Sequence, residues 1–432
     1  MEIVAFVPAK GSSERIANKN LAILDGEYLF KHKLKQLLKS RRVTRVVLDT
    51  EDDQLAALAA DLPVTRLKRP AELASNATDG HALFAWECAQ VRADVYVQAL
   101  CTAPFVTADT VDRALDQLLA TEQQDSVVAV TGAKLYTWTD GRPDYGTGRI
   151  PNSVDLPRTT IEAMSLYAVK ATGQTPPLRR FGDRPLLMPL SPLEAVDLNW
   201  PEDLALAETI AAGARARENL ALGALSPYLS TAMLSDITRE LGMQVALPAE
   251  IASASRGGRF FGRAKTLLLD EPRPGEDWRG IYDALGSYAF VRPGDVIMVE
   301  NRVQWHAYFG NLNAQLAMRA GAVGAVIDGV TRDRSEVDAL SFPVFARGHT
   351  CVDIKFKGVV RSMNMPITLG KVQVKNGDYV LADGDGVVVI PEEDWASVRE
   401  AALKVIEKEW QVGRAVALGV PAGEIFNRLG EF

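Results

Sequence analysis

Cysteine is scarce. The chain of 432 residues has three, Cys88, Cys101 and Cys351, isolated and odd in number. That pattern excludes a disulfide framework and a zinc knuckle and fits a reduced compartment. Positive charge is not in excess, since the formal net charge is -7. A broad nucleic-acid surface is thereby excluded, although local basic sites are not. No apolar run reaches the roughly 18 residues of a membrane span, and no charged n-region precedes an apolar h-region. The glycine stretch near the N-terminus is neither G-x-G-x-x-G nor a Walker A loop, because no G-K-[ST] ends it. These absences predict a soluble, cytoplasmic protein with no membrane or nucleic-acid partner.

What is present is ordinary for a globular protein: 47% hydrophobic and 24% charged residues. At roughly 100–200 residues per domain, the length predicts two or three domains. The first half alternates strand-like and helix-like stretches. "EIVAFVPA", "RVTRVVLD", "DVYVQAL", "DSVVAVT" and "AMSLYAVK" read as strands, with helical "DQLAALAADL" and "TADTVDRALDQLLA" between them. Such alternation predicts an α/β sheet flanked by helices, with ligands at the carboxyl ends of its strands. A helix is expected from about Glu202 to about Leu222. Short glycine-bounded strands follow it: "GDVIMVEN", "GAVGAVIDG", "FPVFARG" and "GDYVLADGDGVVVIP". The expected division is 1–212, a linking helix end at 213–225, a second domain at 226–395 and a helical extension at 396–432. In that extension Trp395, Val398, Ala402, Val405 and Ile406 share one face, as an amphipathic cap requires.

"VPAKGSSERIANKN" gathers Lys10, Arg15 and Lys19 around Gly11, Ser12 and Ser13 at a strand end. Backbone N–H groups and hydroxyls there can meet phosphate oxygens, and the cations can neutralise a leaving pyrophosphate. The segment resembles the N-terminal signature of the CMP-acylneuraminate and CMP-3-deoxy-manno-octulosonate synthetases. Three further segments fall in that family's order: "KRPAELASNATDG", "VQALCTAPFVTADTV" and "EAVDLNWPEDLALAE". The resemblance covers about residues 1–212 and implies a Rossmann-like nucleotidyltransferase sheet. It implies that Lys10, Gly11, Ser12, Ser13, Asn20 and Arg69 bind CTP, with Arg15 and Lys19 catalytic. It puts Gln98 near a 2-keto-3-deoxy sugar acid and Mg2+ on Asp197 and Asn199. Asn199 departs from the family's Asp-x-Asp.

"FGNLNAQLAMRAGAVGAVIDGVTRDRSEVD" holds the second constellation. An arginine beside an aspartate at a strand end can hold a carboxylate and a divalent cation side by side. With "LSDITRELG", "RPGDVIMVEN", "FPVFARG" and "NGDYVLADGDGVVVIP", it resembles the RraA-like family, which includes 4-hydroxy-4-methyl-2-oxoglutarate aldolases. This resemblance spans about residues 226–395 and implies an α/β sandwich domain. It implies that the turn Gly310-Asn311-Leu312 binds pyruvate or another 2-keto acid. Arg332 would stabilise the enolate, and Asp333 would hold Mg2+ or Mn2+. Asn311 departs from the acid of the aldolases. The expected function is transfer of CMP from CTP to a sugar acid, joined to an aldolase-like or decarboxylase-like domain. The alternative makes the second domain a non-catalytic oligomerisation or regulatory module. Either way a homo-oligomer, trimeric or hexameric through that domain, is expected. His306 and His349 read as structural, His81 and His32 as unsupported, and "RRFGDRP" as a solvated loop.

Overall fold

The structure is a computed structural model that describes residues 1–75, 77–173, 175–256 and 258–430. The chain divides into two compact units, Met1–Ala211 and Ala212–Phe432.

The first unit is built on seven strands: β1 (Ile3–Pro8), β2 (Arg45–Thr50), β3 (Thr65–Lys68), β4 (Val95–Ala99), β5 (Ser126–Ala133), β6 (Thr159–Lys170) and β7 (Pro185–Pro189). Their order is β7-β5-β6-β4-β1-β2-β3. β1 lies parallel to both β2 and β4, while β6 runs antiparallel to β4 and β5. β1 is an unbroken apolar run because helices cover both faces of the sheet. Val7 and Ala5 enter one buried cluster, and Val4 and Phe6 enter another. The helices are α1 (Leu29–Leu38), α2 (Asp53–Leu58), α3 (Gly80–Gln90) and α4 (Ala108–Leu119). Side-chain oxygens of Asp52, Asp79 and Thr107 accept the first free N–H groups of α2, α3 and α4, which fixes where each begins. Helix α5 covers Pro201–Leu225, and the unit boundary falls inside it.

The second unit holds an eight-stranded sheet. Its strands are β8 (Ala252–Ser253), β9 (Phe260–Asp270), β10 (Asp295–Asn301), β11 (Gly324–Thr331), β12 (Val344–His349), β13 (Val359–Met363), β16 (Tyr379–Asp383) and β17 (Gly386–Ile390). A separate hairpin joins β14 (Ile367–Leu369) to β15 (Val372–Val374). β9, β10, β11 and β12 are parallel neighbours. Helices α6 (Thr231–Glu240), α7 (Asn311–Ala320) and α8 (Arg334–Leu340) precede the terminal α9 (Trp395–Ala417) and α10 (Ala422–Leu429). Trp395, Val398 and Ala402 of α9 are buried with Leu234 and Ile237 of α6 and Leu381 of β16. The amphipathic face therefore closes on its own unit. Cys88 and Cys101 are buried, and Cys351 is exposed. Among the described residues no helix is long and apolar enough to cross a membrane.

Candidate functional sites

The basic loop leaves β1 at its carboxyl end. A Cβ at Gly11 would stand 2.1 Å from Asp52 Oδ2, so a larger residue would have to push aside the side chain that caps α2. The Gly11 N–H donates to Glu51 Oε1 at 2.8 Å. The loop then folds back through Asn20, whose side-chain amide donates to the Lys10 carbonyl at 2.8 Å. Ser12 and Arg15 are exposed, and Lys10, Ser13 and Lys19 are half-buried. Arg15 Nη1 donates to Asn199 Oδ1 at 3.0 Å and stacks over the Trp200 ring. Lys19 Nζ donates to the Leu198 carbonyl at 3.0 Å. Residues 179 and 184 positions apart thus meet at one strand end. Burial holds the Lys19 ammonium below its usual range; Asp197 opposes that shift, while Arg15 and Lys10 reinforce it. Several cations crowded around one carboxylate form a site that an anion would complete.

Asn199 is held at both ends. Its Nδ2 donates to Asp197 Oδ2, its Oδ1 accepts from Arg15, and its backbone N–H donates to Asp203. The cap from Asp203 also takes the Trp200 N–H and starts α5. The donor set is one carboxylate and one amide oxygen beside cations. No group of three or more His, Cys, Asp or Glu side chains suited to a metal occurs among the described residues. Such a sparse set fits Mg2+, which keeps several waters and shares one or two carboxylates with substrate phosphates.

Arg69 and Gln98 lie deeper. Arg69 is buried and donates from Nε to both oxygens of Asp49 at 3.0 Å. Gln98 has no exposed surface and donates to the equally buried Glu87 of α3. Burial, followed by the Asp49 carboxylate, pushes the Glu87 carboxyl well up. Two acids, Asp49 and Glu87, therefore lie in one buried polar layer with the Arg69 guanidinium. Sequence reading missed Asp49 and Glu87. The loop "RRFGDRP" is less solvated than expected: Arg180 stacks on Tyr167 at 5.0 Å, and Phe181 packs on the cluster of Val128 and Val130. His81 also has partners, because its Nδ1 accepts the Arg180 N–H and its ring meets Phe181 edge-on.

In the second unit, Gly310 precedes α7 and Asn311 opens it. The Asn311 N–H donates to Asp333 Oδ2 at 3.1 Å, and its side-chain oxygen accepts from Gln315. A Cβ on Gly310 would lie 2.5 Å from the same Asp333 oxygen, so the turn and the Arg-Asp pair are in direct contact. Asp333 holds a left-handed backbone, φ 57°, which aims its carboxylate back at the turn. Arg332 pairs through Nη1 with Asp353 at 2.5 Å, and its Nε lies 3.5 Å from the same Asp333 oxygen. Leu312 is exposed. His306 and His349 bond backbone carbonyls of Gln304 and Ala254.

The two family matches fall one in each compact unit. Residues 4–139 match the cytidylyltransferase family, and residues 231–389 match the Aldolase/RraA family. A putative 4-hydroxy-4-methyl-2-oxoglutarate aldolase of Halalkalibacterium halodurans is 35% identical over 30% of this chain and 62% of its own. A 3-deoxy-manno-octulosonate cytidylyltransferase of Chlorobium phaeobacteroides is 31% identical over 27% of this chain and 45% of its own. The chain thus spans less than two thirds of these curated relatives. A solved CMP:2-keto-3-deoxy-manno-octonic acid synthetase with CTP is 13% identical, covering 49% of this chain and 99% of that one at a TM-score of 0.37. The chain joins a cytidylyltransferase-type unit to an RraA/aldolase-type unit.

Proposed function

We propose that the first unit transfers CMP from CTP to a 2-keto-3-deoxy sugar acid and releases pyrophosphate. The observation that carries this reading is the convergence of Arg15 and Lys19 on the Asp197–Asn199 segment. The acceptor's anomeric hydroxyl attacks the α-phosphorus, the bond to the β-phosphate oxygen breaks, and the hydroxyl proton passes to solvent. Such a step needs positioning and charge neutralisation more than a nucleophilic side chain. Lys10, Ser12, Ser13 and Arg15 border the loop where the triphosphate would lie, and Lys19 and Asn20 close it. Bound Mg2+ would supply positive charge to the phosphates, held by Asp197 and the Asn199 carbonyl. Arg69 and Gln98 act here through the polar layer beneath the nucleotide and the acceptor.

The second unit, in this reading, takes a 2-keto acid at Gly310–Leu312, with Arg332 toward the developing enolate oxygen and Asp333 toward a divalent cation. Asn311 supplies neither charge nor base, and Arg332 is engaged by Asp353. Those two features support the second reading, a binding or assembly module without turnover. Release of pyruvate by the isolated protein separates the two.

For the first site, a CTP-dependent pyrophosphate-release screen over octulosonic, nonulosonic and shorter keto acids gives the test. Arg15→Ala and Lys19→Ala should each lower the rate by on the order of 10²-fold, as for other removed charge-stabilising groups. Unchanged rates in both variants would remove the assignment.

A further inference from the structure

The ends of β10, β11 and β12 carry polar side chains on both faces of the second sheet, and alternation decides which face each takes. Ile297, Val299 and Ile327 share one buried cluster with Ala314 and Ala317 of α7. Val296, Met298, Val326 and Phe345 share the other with the β14–β15 hairpin. At a period of two, Glu300, Asp328 and Arg347 continue the second set. They therefore lie on the face opposite α7, away from the Gly310–Asp333 turn. There they line a cavity of about 620 Å³ together with Arg302, Trp305 and Glu250. Neither Asn311, Arg332 nor Asp333 borders it. The cavity sits at the carboxyl ends of parallel strands, where open α/β sheets take ligands, and its volume is that of a small-molecule site.

The walls narrow the ligand class. Glu300 accepts from Arg302 Nε at 2.6 Å and from the Thr368 N–H at 2.7 Å. Asp328 accepts from Arg347 Nε and from the Gly370 N–H, the latter at 2.7 Å. Glu300 and Asp328 each already have one cation and one backbone donor, so neither offers a bare charge to a cationic ligand, and the remaining acid, Glu250, is exposed where solvent and salt screen it. Glu250 adds a further negative charge against an anion. An ionised carboxyl has about four lone-pair sites, so acceptor capacity is left for hydroxyl groups. The guanidinium groups add planar donors. Trp305, 73% exposed, stands on the rim with its backbone in the left-handed region at φ 67°. An open indole face next to planar acceptors and donors suits a pyranose, whose C–H face stacks while its hydroxyls bond the walls.

We propose that this cavity binds a neutral, polyhydroxylated ligand, a mono- or disaccharide, independently of the keto-acid turn on the other face. The test uses the full chain in saturation-transfer NMR and titration calorimetry. The probes are neutral hexosides, disaccharides, a 2-keto-3-deoxy sugar acid and choline. Neutral sugars should receive saturation and titrate. Trp305→Ala should weaken them by about 10-fold, while Trp305→Phe keeps most of the affinity, as loss and retention of a stacked ring predict. Asp328→Asn should weaken them as well. Because Trp305 is exposed, its variants report on binding even if Asp328→Asn unfolds the β14–β15 hairpin. The proposal fails if no neutral sugar binds at millimolar concentration. It fails equally if Trp305→Ala leaves binding unchanged, or if only the sugar acid or choline binds.

Discussion

Two side chains decide much of the first unit's behaviour. Asn199 stands where an acid would face Asp197, and it bridges Asp197 to Arg15 instead. Asn199→Asp removes the amide donor and sets two carboxylates side by side. Its Mg2+ requirement for half-maximal pyrophosphate release should fall by about 10-fold, the size of effect that ligand-shell changes produce. A Mg2+ titration of both proteins checks this. Lys33 is the second case. It is 1% exposed, donates to the Val106 carbonyl at 2.8 Å, and burial pushes its ammonium down to about 7. Above pH 7 the unfolded chain keeps a proton there that the folded chain releases. Stability therefore rises with pH from about 7 toward the ordinary lysine range, and below pH 7 the full cost of burying the charge is felt. Lys33→Met should raise stability at pH 6 by on the order of 2 kcal/mol and flatten that slope, as denaturant melts at pH 6 and 9 would show. Arg15, Lys19 and Asn199 could be singled out in sequence only through motif order. Their meeting across 184 positions was not legible, because nothing local encodes it. Asp49 and Glu87 were illegible for a different reason. A buried acid in a helix or strand reads like any surface acid until its partner is known.

The elements themselves were more legible. The all-apolar β1 and the continuous apolar runs Val296–Val299 of β10 and Ala325–Ile327 of β11 announce their burial on two faces. Helix α5 starts one residue earlier and ends three later than expected, at Pro201 and Leu225. Its first turn takes Pro201 because a proline lacks only an N–H that a first turn leaves free. "DQLAALAADL" is helical only over Asp53–Leu58, and Ala59 and Leu62 beyond its end still pack on the first unit's core. A glycine inside β9 carries a prediction at this scale. A Cβ on Gly262 would stand 2.1 Å from the Gly294 carbonyl oxygen, which also accepts the Arg263 N–H. Backbone cannot rotate away as a side chain can. Gly262→Ala should cost about 1–3 kcal/mol or more, measured by denaturant unfolding. A neutral result would mean that β9 shifts freely against β10.

Each unit buries clusters of its own, Phe6 and Leu115 in the first, Val299 and Phe345 in the second. Calorimetry should resolve two unfolding transitions, with Lys33→Met moving one and Gly262→Ala moving the other. One transition displaced by both variants would refute this. The thiols extend the point to practice. Cys88 and Cys101 lie within the first unit's interior, and burial pushes the Cys101 thiol up to about 12. Only a thiolate attacks a maleimide. A dye will therefore attach to the native chain at Cys351 alone of the three, two residues before the Asp353 that grips Arg332. Fluorescence from that single label would report the moment a carboxylate in solution takes the guanidinium from Asp353, with no residue replaced.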